Sequence, residues 1–456
     1  MSDKDAPGNG KPSSARDIAG KPSSELAIED PAPSLPDDLY ANLSKASPAK
    51  TASNIMKTII GAGIFSTAYA VQAGGFFFSL ILILLLGLLF YWTIMTLIRA
   101  SVIAKKDTAQ EMMVYCFGKA GEIVINITLL LNSWGTAISY SVIIGDVVPD
   151  VLRVAMGEPQ TEFMRLFLSR RGILTIVSLG ILLPVSLNRG LASLSYFSAF
   201  ALLGIFFIIV TLLALGPSLP EEFAGTPGPL SIINFRGIHR AIGVFSFAYV
   251  CHQNLLLNYH QMQNTPRKLE KFASVAKLSM ALTVAMTCLV GCTWFFVREK
   301  AASNILNSYP VDWSIMVVAR LFFGIDMFFS YPLDSYVIRD TLQVWIWPGK
   351  PFSKLRHSLL TLFTVLSTLL IASLTCDLGI ILELTGGVAA ALIAFIIPSA
   401  CYIKACALQG VPLSKASKAA HYSCIAFGVV VMTATVVMVV LDSLNDSGES
   451  AKSCNW

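Results

Sequence analysis

The stretch that decides the fold is SNIMKTIIGAGIFSTAYA at Ser53–Ala70, an apolar run with Gly-Ala-Gly near its middle. With its flanks it approaches the ~20 apolar residues that a helix needs to cross a bilayer. Gly61 and Gly63 lower the helix propensity there, and irregular backbone survives at membrane depth only where it lines a cavity. The pattern predicts either a helix interrupted at its centre or a helix packed closely on a neighbour through its glycines.

A second run, AIGVFSFAYVCHQNLLLNYHQM at Ala241–Met262, joins an apolar half with Gly243 to a polar half. The polar half carries His252, Gln253, Asn254 and Asn258. Such groups are costly at membrane depth. Interrupted helices at corresponding positions of two repeats indicate a transporter site, where helix ends face a charged substrate. The two runs are the first and sixth spans if the body is two five-helix repeats, a layout that no identity between the halves supports.

The composition excludes a soluble globular protein. Charged residues make up 13% of the 456 residues and hydrophobic residues 55%, whereas soluble domains carry about 25% charge. Residues 1–50 hold 6 basic and 8 acidic residues and lack the apolar stretch of a signal peptide. We expect a disordered cytosolic tail over 1–50, a transmembrane domain over 51–441, and a short non-cytosolic tail over 442–456. The nine cysteines include no CxxC or Cys/His cluster and suggest no framework. Seven of them, such as Cys288, Cys292 and Cys401, lie in or at the ends of apolar runs, where we expect them to fill apolar space.

Hydrophobic runs predict eleven spans, with ten or twelve as alternatives. They cover about 52–72, 75–98, 121–148, 172–187, 191–215, 239–258, 273–297, 313–333, 357–375, 378–403 and 421–441. The separation of the fourth from the fifth, at Asn188, Arg189 and Gly190, is the least secure. The side that holds the N-terminus collects 22 Lys and Arg against 9 on the other side. This asymmetry predicts a cytosolic N-terminus and a C-terminus on the opposite side.

Several of these stretches resemble the amino acid/auxin permease family, and most of all its solute carrier 38 and vacuolar amino-acid transporter branch. The resemblance rests on residues 54–70, FSFAYVCHQN at 245–254, ISYSVIIGD at 138–146, SYPLDSYVIRD at 330–340 and LTGGVAAALIAFIIPSACYIK at 384–404. It implies an all-α polytopic membrane protein with a LeuT-type 5+5 inverted repeat and an eleventh transmembrane helix. It also implies transport of amino acids by alternating access.

The resemblance further implies which residues hold the substrate. Gly61, Ala62 and Gly63 would offer backbone N–H groups to the substrate carboxylate, while Ser246 and Phe247 would meet its amino group and side chain. The sequence departs from many relatives at residue 68, which is an alanine here and a proline in them. That alanine makes the interruption of the first span less certain.

The coupling ion depends on a lysine. In sodium-coupled relatives an asparagine of the first span and a hydroxyl of the eighth help to hold the cation. Ser330 matches the hydroxyl, but Lys57 stands in the place of that asparagine, with Asn54 one turn before it. Its ammonium would fill the sodium position, which favours sodium-independent, proton-linked transport. The alternative is that Lys57 extends to the cytosolic water.

Other ionisable groups inside the spans are costly in lipid and should face protein or water. Asp326 and Glu383 are candidates for a proton relay, and His252 for pH sensing, with a buried structural histidine as the alternative. Arg320 and Asp334 lie near span ends, where structural roles are expected. We expect Asp146 to end the third span with a salt bridge.

The sequence therefore predicts a secondary transporter for neutral amino acids, not an enzyme, with no cofactor and no nucleic-acid partner. A sodium-coupled transporter and an amino-acid-sensing transceptor that signals through its tail are the alternatives. The expected partners are an amino acid, a proton or sodium ion and the lipid bilayer, and we expect a monomer. The tail sequence YANL at Tyr40–Leu43 resembles a sorting signal, which favours a vacuolar or lysosomal membrane over the plasma membrane.

Overall fold

The computed structural model describes residues 47–157, 161–188, 197–224, 232–263, 267–298 and 301–445. Residues 1–46 of the predicted N-terminal tail, with its YANL sequence, and most of the C-terminal tail lie outside these residues, whereas residues 48–50 of the predicted tail form the start of the first helix. The described part is helical and contains no β-strand. Its fourteen principal helices are α1 Pro48–Ile59, α2 Thr67–Gly74, α3 Phe76–Ala104, α4 Ala109–Met156, α5 Glu162–Phe167, α6 Arg170–Leu187, α7 Phe197–Leu215, α8 Ile238–Tyr249, α9 His252–Gln261, α10 Lys268–Val297, α11 Ser314–Ile346, α12 Lys354–Leu374, α13 Leu378–Leu408 and α14 Lys415–Asn445.

Nine stretches of the described residues are long and apolar enough to cross a membrane. They correspond to nine of the predicted spans, and they make the chain an integral membrane protein. The stretches at Arg170–Leu187 and Phe200–Ser218 match the predicted fourth and fifth spans; of the three residues predicted to separate them, Arg189 and Gly190 lie outside the described residues. The predicted first and sixth spans are each divided between two shorter helices.

The helices α4 and α11 pack together at the centre of the bundle. A buried arginine fixes the amino-terminal part of α11. Arg320 is 0% exposed and donates to the carbonyls of Leu306 at 2.8 Å and Tyr309 at 2.9 Å. Its Nε lies 3.5 Å from a carboxylate oxygen of Asp150 on α4. Arg320 thus holds a loop and two helices together, as a structural residue would.

Two further predictions concern single side chains. The Asp146 carboxylate accepts a hydrogen bond of 2.9 Å from Arg170 at the start of α6, which confirms the salt bridge. Asp146 does not end the third span, however, because α4 continues to Met156. Seven cysteines of the described residues are free. Cys376, just before α13, is disulfide-bonded, a bond that the sequence analysis did not predict.

Candidate functional site

The first interruption lies between α1 and α2. Ile60, with φ −82° and ψ 86°, and Gly61, with φ −124° and ψ −147°, leave the helical region, and a 3₁₀ helix then spans Ala62–Ser66. No side chain caps the start of that 3₁₀ helix. The first N–H groups of a helical segment have no partner within it and attract negative charge. The interruption therefore presents backbone donors at mid-helix.

The second interruption lies between α8 and α9. Val250 is extended, with φ −70° and ψ 125°, and Cys251, with φ −139° and ψ 5°, precedes the first residue of α9. Gly243, in the apolar half of the run Ala241–Met262, lies within α8. Because the last carbonyls of a helix lack donors within it, the end of α8 presents acceptors. The start of α9 also has no side-chain cap.

A chamber of about 540 Å³ lies beside both interruptions. Its wall comes from α1, α4, α9, α11 and the two interruptions. The lining residues are Asn54, Lys57, Thr58, Ile59, Gly61, Ala62, Gly63, Thr136, Tyr140, Phe247, Val250, Gln253, Asn254, Leu257, Asn258, Gln261, Ser330, Leu333, Asp334, Tyr336 and Val337. The volume is that of a small-molecule site, and the wall mixes apolar side chains with amide and hydroxyl groups.

The two interrupted segments touch each other directly at one side of this chamber. A Cβ atom added to Gly63 would lie 2.8 Å from Cα of Ala248 and 2.8 Å from Cδ1 of Phe247. Only glycine permits this approach, because real Cβ atoms do not come so close to backbone. Gly63 therefore lies in the interruption of the first span and also permits the close contact with α8. Both interpretations of the Gly-Ala-Gly motif, an interrupted helix and close helix packing, apply.

An ion pair joins α1 to α11 next to the chamber. The Lys57 ammonium donates to a carboxylate oxygen of Asp326, and the Ser330 hydroxyl donates to the same oxygen at 3.4 Å. The side chains of Lys57 and Asp326 are 14% and 4% exposed. The second carboxylate oxygen of Asp326 is buried and has no hydrogen-bond partner among the described residues. A cavity of about 20 Å³ adjoins the pair, room for about one water molecule.

Most of the predicted site residues reach this chamber. The wall includes Asn54, Lys57, Gly61, Ala62, Gly63, Phe247 and Ser330. Asp326 contacts the chamber only through Lys57 and Ser330. Ser246 is 0% exposed and does not line the chamber, and its hydroxyl has no partner among the described residues.

His252 is buried away from the chamber wall. It is 1% exposed, its Nε2 lies 3.1 Å from the Thr93 hydroxyl, and its ring packs edge-on to Phe90 with centroids 5.8 Å apart. Of the two interpretations of this histidine, the geometry matches the structural one.

Glu383 belongs to a separate ionic cluster where α8, α13 and α14 meet. Its carboxylate lies 3.2 Å from His239 and 3.8 Å from Arg240, and Arg240 also pairs with Asp442. Glu383 is 2% exposed. The sequence grouped Glu383 with Lys57 and Asp326, but the structure gives it other partners and no place in the chamber wall.

The helices α8 and α13 are closely packed beside this cluster. A Cβ on Gly386 would lie 1.9 Å from the carbonyl oxygen of Gly243. A Cβ on Gly243 would lie 2.8 Å from the carbonyl oxygen of Glu383, so both glycines permit the close packing of α8 on α13.

Sequence analysis missed part of the chamber wall. Asp334 was expected to have a structural role, yet it lines the chamber one helical turn beyond Ser330. Tyr140 lines it from α4, and its hydroxyl lies 3.6 Å from the position of a Cβ on Gly61. The i, i+4, i+8 spacing of Asp326, Ser330 and Asp334 puts all three on one face of α11, a signal that was available in the sequence.

The fold and the chamber are those of a multispan membrane transporter. A family model described as "Transmembrane amino acid transporter protein" matches residues 44–441, and the chain belongs to that family. This is a family of transporters, in agreement with the non-enzyme prediction, and it confirms the family resemblance of the sequence.

Two curated relatives align over most of their length. "Vacuolar amino acid transporter 2" of Saccharomyces cerevisiae is 30% identical over 422 residues, 90% of this chain and 87% of the relative. "Putative sodium-coupled neutral amino acid transporter 11" of Rattus norvegicus is 28% identical over 403 residues, 87% and 85% of the two chains. Among solved structures, a manganese transporter of Eremococcus coleocola has a TM-score of 0.51 at 14% identity, covering 91% of this chain and 98% of its own. That likeness concerns the fold alone.

Proposed function

We propose that the protein moves amino acids across a membrane by alternating access, with the chamber as the substrate site. The observation that carries the proposal is the pair of interrupted helices beside a chamber of about 540 Å³. Helix ends of opposite polarity suit a zwitterion. The N–H groups at Ala62 and Gly63 bind the carboxylate, and the carbonyl end of α8, near Phe247, binds the amino group.

The proposed layout is a 5+5 inverted repeat with an eleventh helix. The nine apolar stretches and the two divided spans make eleven, and the divided spans come first and sixth. The TM-score of 0.51 with a transporter supports this layout. Gln261, the last residue of α9, lines the chamber. The basic residues that follow it, Arg267, Lys268 and Lys271, are among those predicted to be cytosolic, so in our proposal the chamber faces the cytosol, as does the N-terminus.

The proposed coupling is proton-linked and independent of sodium. Lys57 supplies a fixed positive charge to the Asp326 carboxylate and the Ser330 hydroxyl, the groups that a sodium ion would use. A tethered ammonium competes with a free cation for these oxygens. Sodium coupling, which is part of the name of the rat relative, is the alternative. The name of the yeast relative supports a vacuolar membrane, which a fluorescent fusion would test.

The test is uptake into proteoliposomes that contain the purified protein alone. A panel of labelled amino acids is offered with an imposed pH gradient, in sodium or in choline buffer. We expect accumulation driven by the pH gradient and equal in the two buffers. The Lys57→Met variant should lose the proton-driven component, whereas Lys354→Met, at an exposed lysine, should retain it.

Each contrary result removes a different part of the proposal. Uptake that requires sodium would refute the role of Lys57 and leave transport intact. Saturable binding without accumulation would refute transport and favour the transceptor. Neither binding nor uptake of any amino acid would refute the assignment of the chamber.

A further inference from the structure

We infer that the chamber selects amino acids with a cationic side chain, and that Asp334 binds that cation. The inference rests on the proposed function and names its substrate class. It departs from the neutral amino acids that the sequence predicted, because Asp334 lies in the chamber wall and not in a structural pair.

The position of Asp334 suits a side-chain pocket. It lies on α11, one helical turn beyond Ser330, and lines the same chamber as the first interruption. Ser133 and Tyr140 of α4 are its neighbours across the helix interface. The Tyr140 hydroxyl approaches Gly61. A substrate whose carboxylate is bound at Ala62 and Gly63 can therefore reach the Asp334 carboxylate with the end of its side chain.

No basic side chain of the described chamber wall pairs with the Asp334 carboxylate. In the chamber lining of the described residues, Lys57 is the only Lys, Arg or His, and Asp334 is the only Asp or Glu. The Lys57 ammonium is already paired with Asp326. No ion pair of Asp334 occurs within the described part of the chain. Asp334 is partly exposed and faces the chamber, so a ligand cation that enters the chamber can pair with its carboxylate.

The surroundings of Asp334 are polar, as a cationic ligand requires. Thr136 and Tyr140 face the chamber from α4, and Ser330 faces it from α11. A pocket for an aliphatic side chain is lined by apolar groups instead. Phe247 also lines the chamber, and an aromatic ring attracts an ammonium or guanidinium group. One carboxylate, several hydroxyls and one ring form a site for the side chain of lysine or arginine.

The competing role for Asp334 is to carry a proton alongside a neutral amino acid. Both roles neutralise the carboxylate, but they differ in the substrate. If Asp334 binds the side chain, its removal changes which amino acids are accepted. If it carries a proton, its removal lowers the transport of every amino acid and abolishes the response to a pH gradient.

The experiment compares pairs of amino acids that differ mainly in charge. Uptake of labelled arginine and citrulline, and of lysine and norleucine, is measured with purified protein in proteoliposomes. The variants are Asp334→Asn, Asp334→Glu and Asp340→Asn, the last at an exposed carboxylate on the same helix. We expect wild type to prefer the cationic member by about 10- to 100-fold, the usual worth of a hydrogen bond to a charged group.

In Asp334→Asn this preference should collapse to about twofold, because arginine uptake should fall far more than citrulline uptake. Asp334→Glu should retain the sign of the preference, and Asp340→Asn should match wild type. A wild-type protein that takes citrulline as well as arginine overturns the inference, as does an equal loss of both substrates in Asp334→Asn. If no variant folds, the wild-type ratio alone still decides. Absence of all amino-acid uptake would instead refute the proposed function, and the inference with it.

Discussion

Replacing Lys57 with methionine tests the ion pair most directly, because methionine keeps the length of the side chain and removes the ammonium. Asp326, 4% exposed, would then be a buried carboxylate without a cation. Removing one partner of a buried pair costs about 3–5 kcal/mol. Lys57 is 14% exposed and borders the chamber, so water partly replaces the ammonium. We therefore expect a loss of about 3 kcal/mol, at the lower end of that range.

A double-mutant cycle separates the pair from the loss of either side chain alone. Asp326→Asn should cost less than Lys57→Met, because the ammonium left behind borders the chamber. The double variant should be more stable than the sum of the single changes by about 2 kcal/mol, within the range for residues in contact. The measurement is the thermal or denaturant-induced unfolding of the purified variants in one detergent.

The same variants test whether the ammonium occupies a cation position. Lys57→Met leaves the Asp326 carboxylate and the Ser330 hydroxyl facing a vacated place. Since a ligand that binds only the folded state stabilises it, sodium chloride should raise the melting temperature of Lys57→Met above that in choline chloride. Wild type should melt at the same temperature in both salts.

Two results would refute this reasoning. One is a double variant whose loss of stability equals the sum of the two single losses, which would mean that the two side chains do not interact in the folded protein. The other is a sodium-specific rise in the melting temperature of wild type, which would mean that a sodium site exists beside the ammonium.

Three further substitutions test contacts that hold the helices together. Gly63→Ala should destabilise the protein by about 1–3 kcal/mol, the usual cost of overpacking, and reduce transport, because the new methyl group would lie 2.8 Å from Cα of Ala248. Arg240→Gln should lower stability by about 1–3 kcal/mol in thermal unfolding, since Glu383 would lose a charged neighbour. Arg320→Gln should cost about 3–5 kcal/mol and reduce the yield of folded protein by size-exclusion chromatography, since it leaves a buried network unpaired.

Matched controls lie elsewhere in the chain. They are Gly180→Ala, where nothing lies within 4 Å of the new Cβ, and Arg236→Gln and Arg171→Gln, at exposed arginines. Each control should behave as wild type. A control that loses as much stability as its partner variant would show that the effect comes from helix propensity or net charge instead of the contact.

The long apolar runs could be predicted from the sequence because hydrocarbon length fixes their size, and the nine that cross as single stretches are confirmed. The first interruption could also be predicted from the sequence, since Gly61 has a low helix propensity and lies in the middle of an apolar span. The second lies at Val250 and Cys251, where the apolar half of the run meets the polar half that begins at His252. Neither residue breaks a helix by itself, so the exact position could not be predicted, and Gly243 serves the contact with α13.

The partners of buried charges could not be predicted, because pairing depends on contacts between distant segments. Glu383 and Asp326 look alike in sequence, each a lone acid in an apolar run. In the structure one meets His239 and Arg240 and the other meets Lys57. Asp334 was also misjudged. It directly follows the predicted end of the eighth span, which suggested a boundary residue and not a part of the chamber wall.

The anchoring of α11 has a mechanical consequence. Arg320 fixes the first turns of this helix to a loop and to α4, while Asp326 and Asp334 follow further along the same rod. Eight residues of helix separate these two carboxylates, about 12 Å of rise. Pro332 interrupts the backbone hydrogen bonding of α11 between the two carboxylates, so Arg320 anchors Asp326 more firmly than Asp334. If α1 moves in the proposed transport cycle, Lys57 leaves an Asp326 that stays with α4.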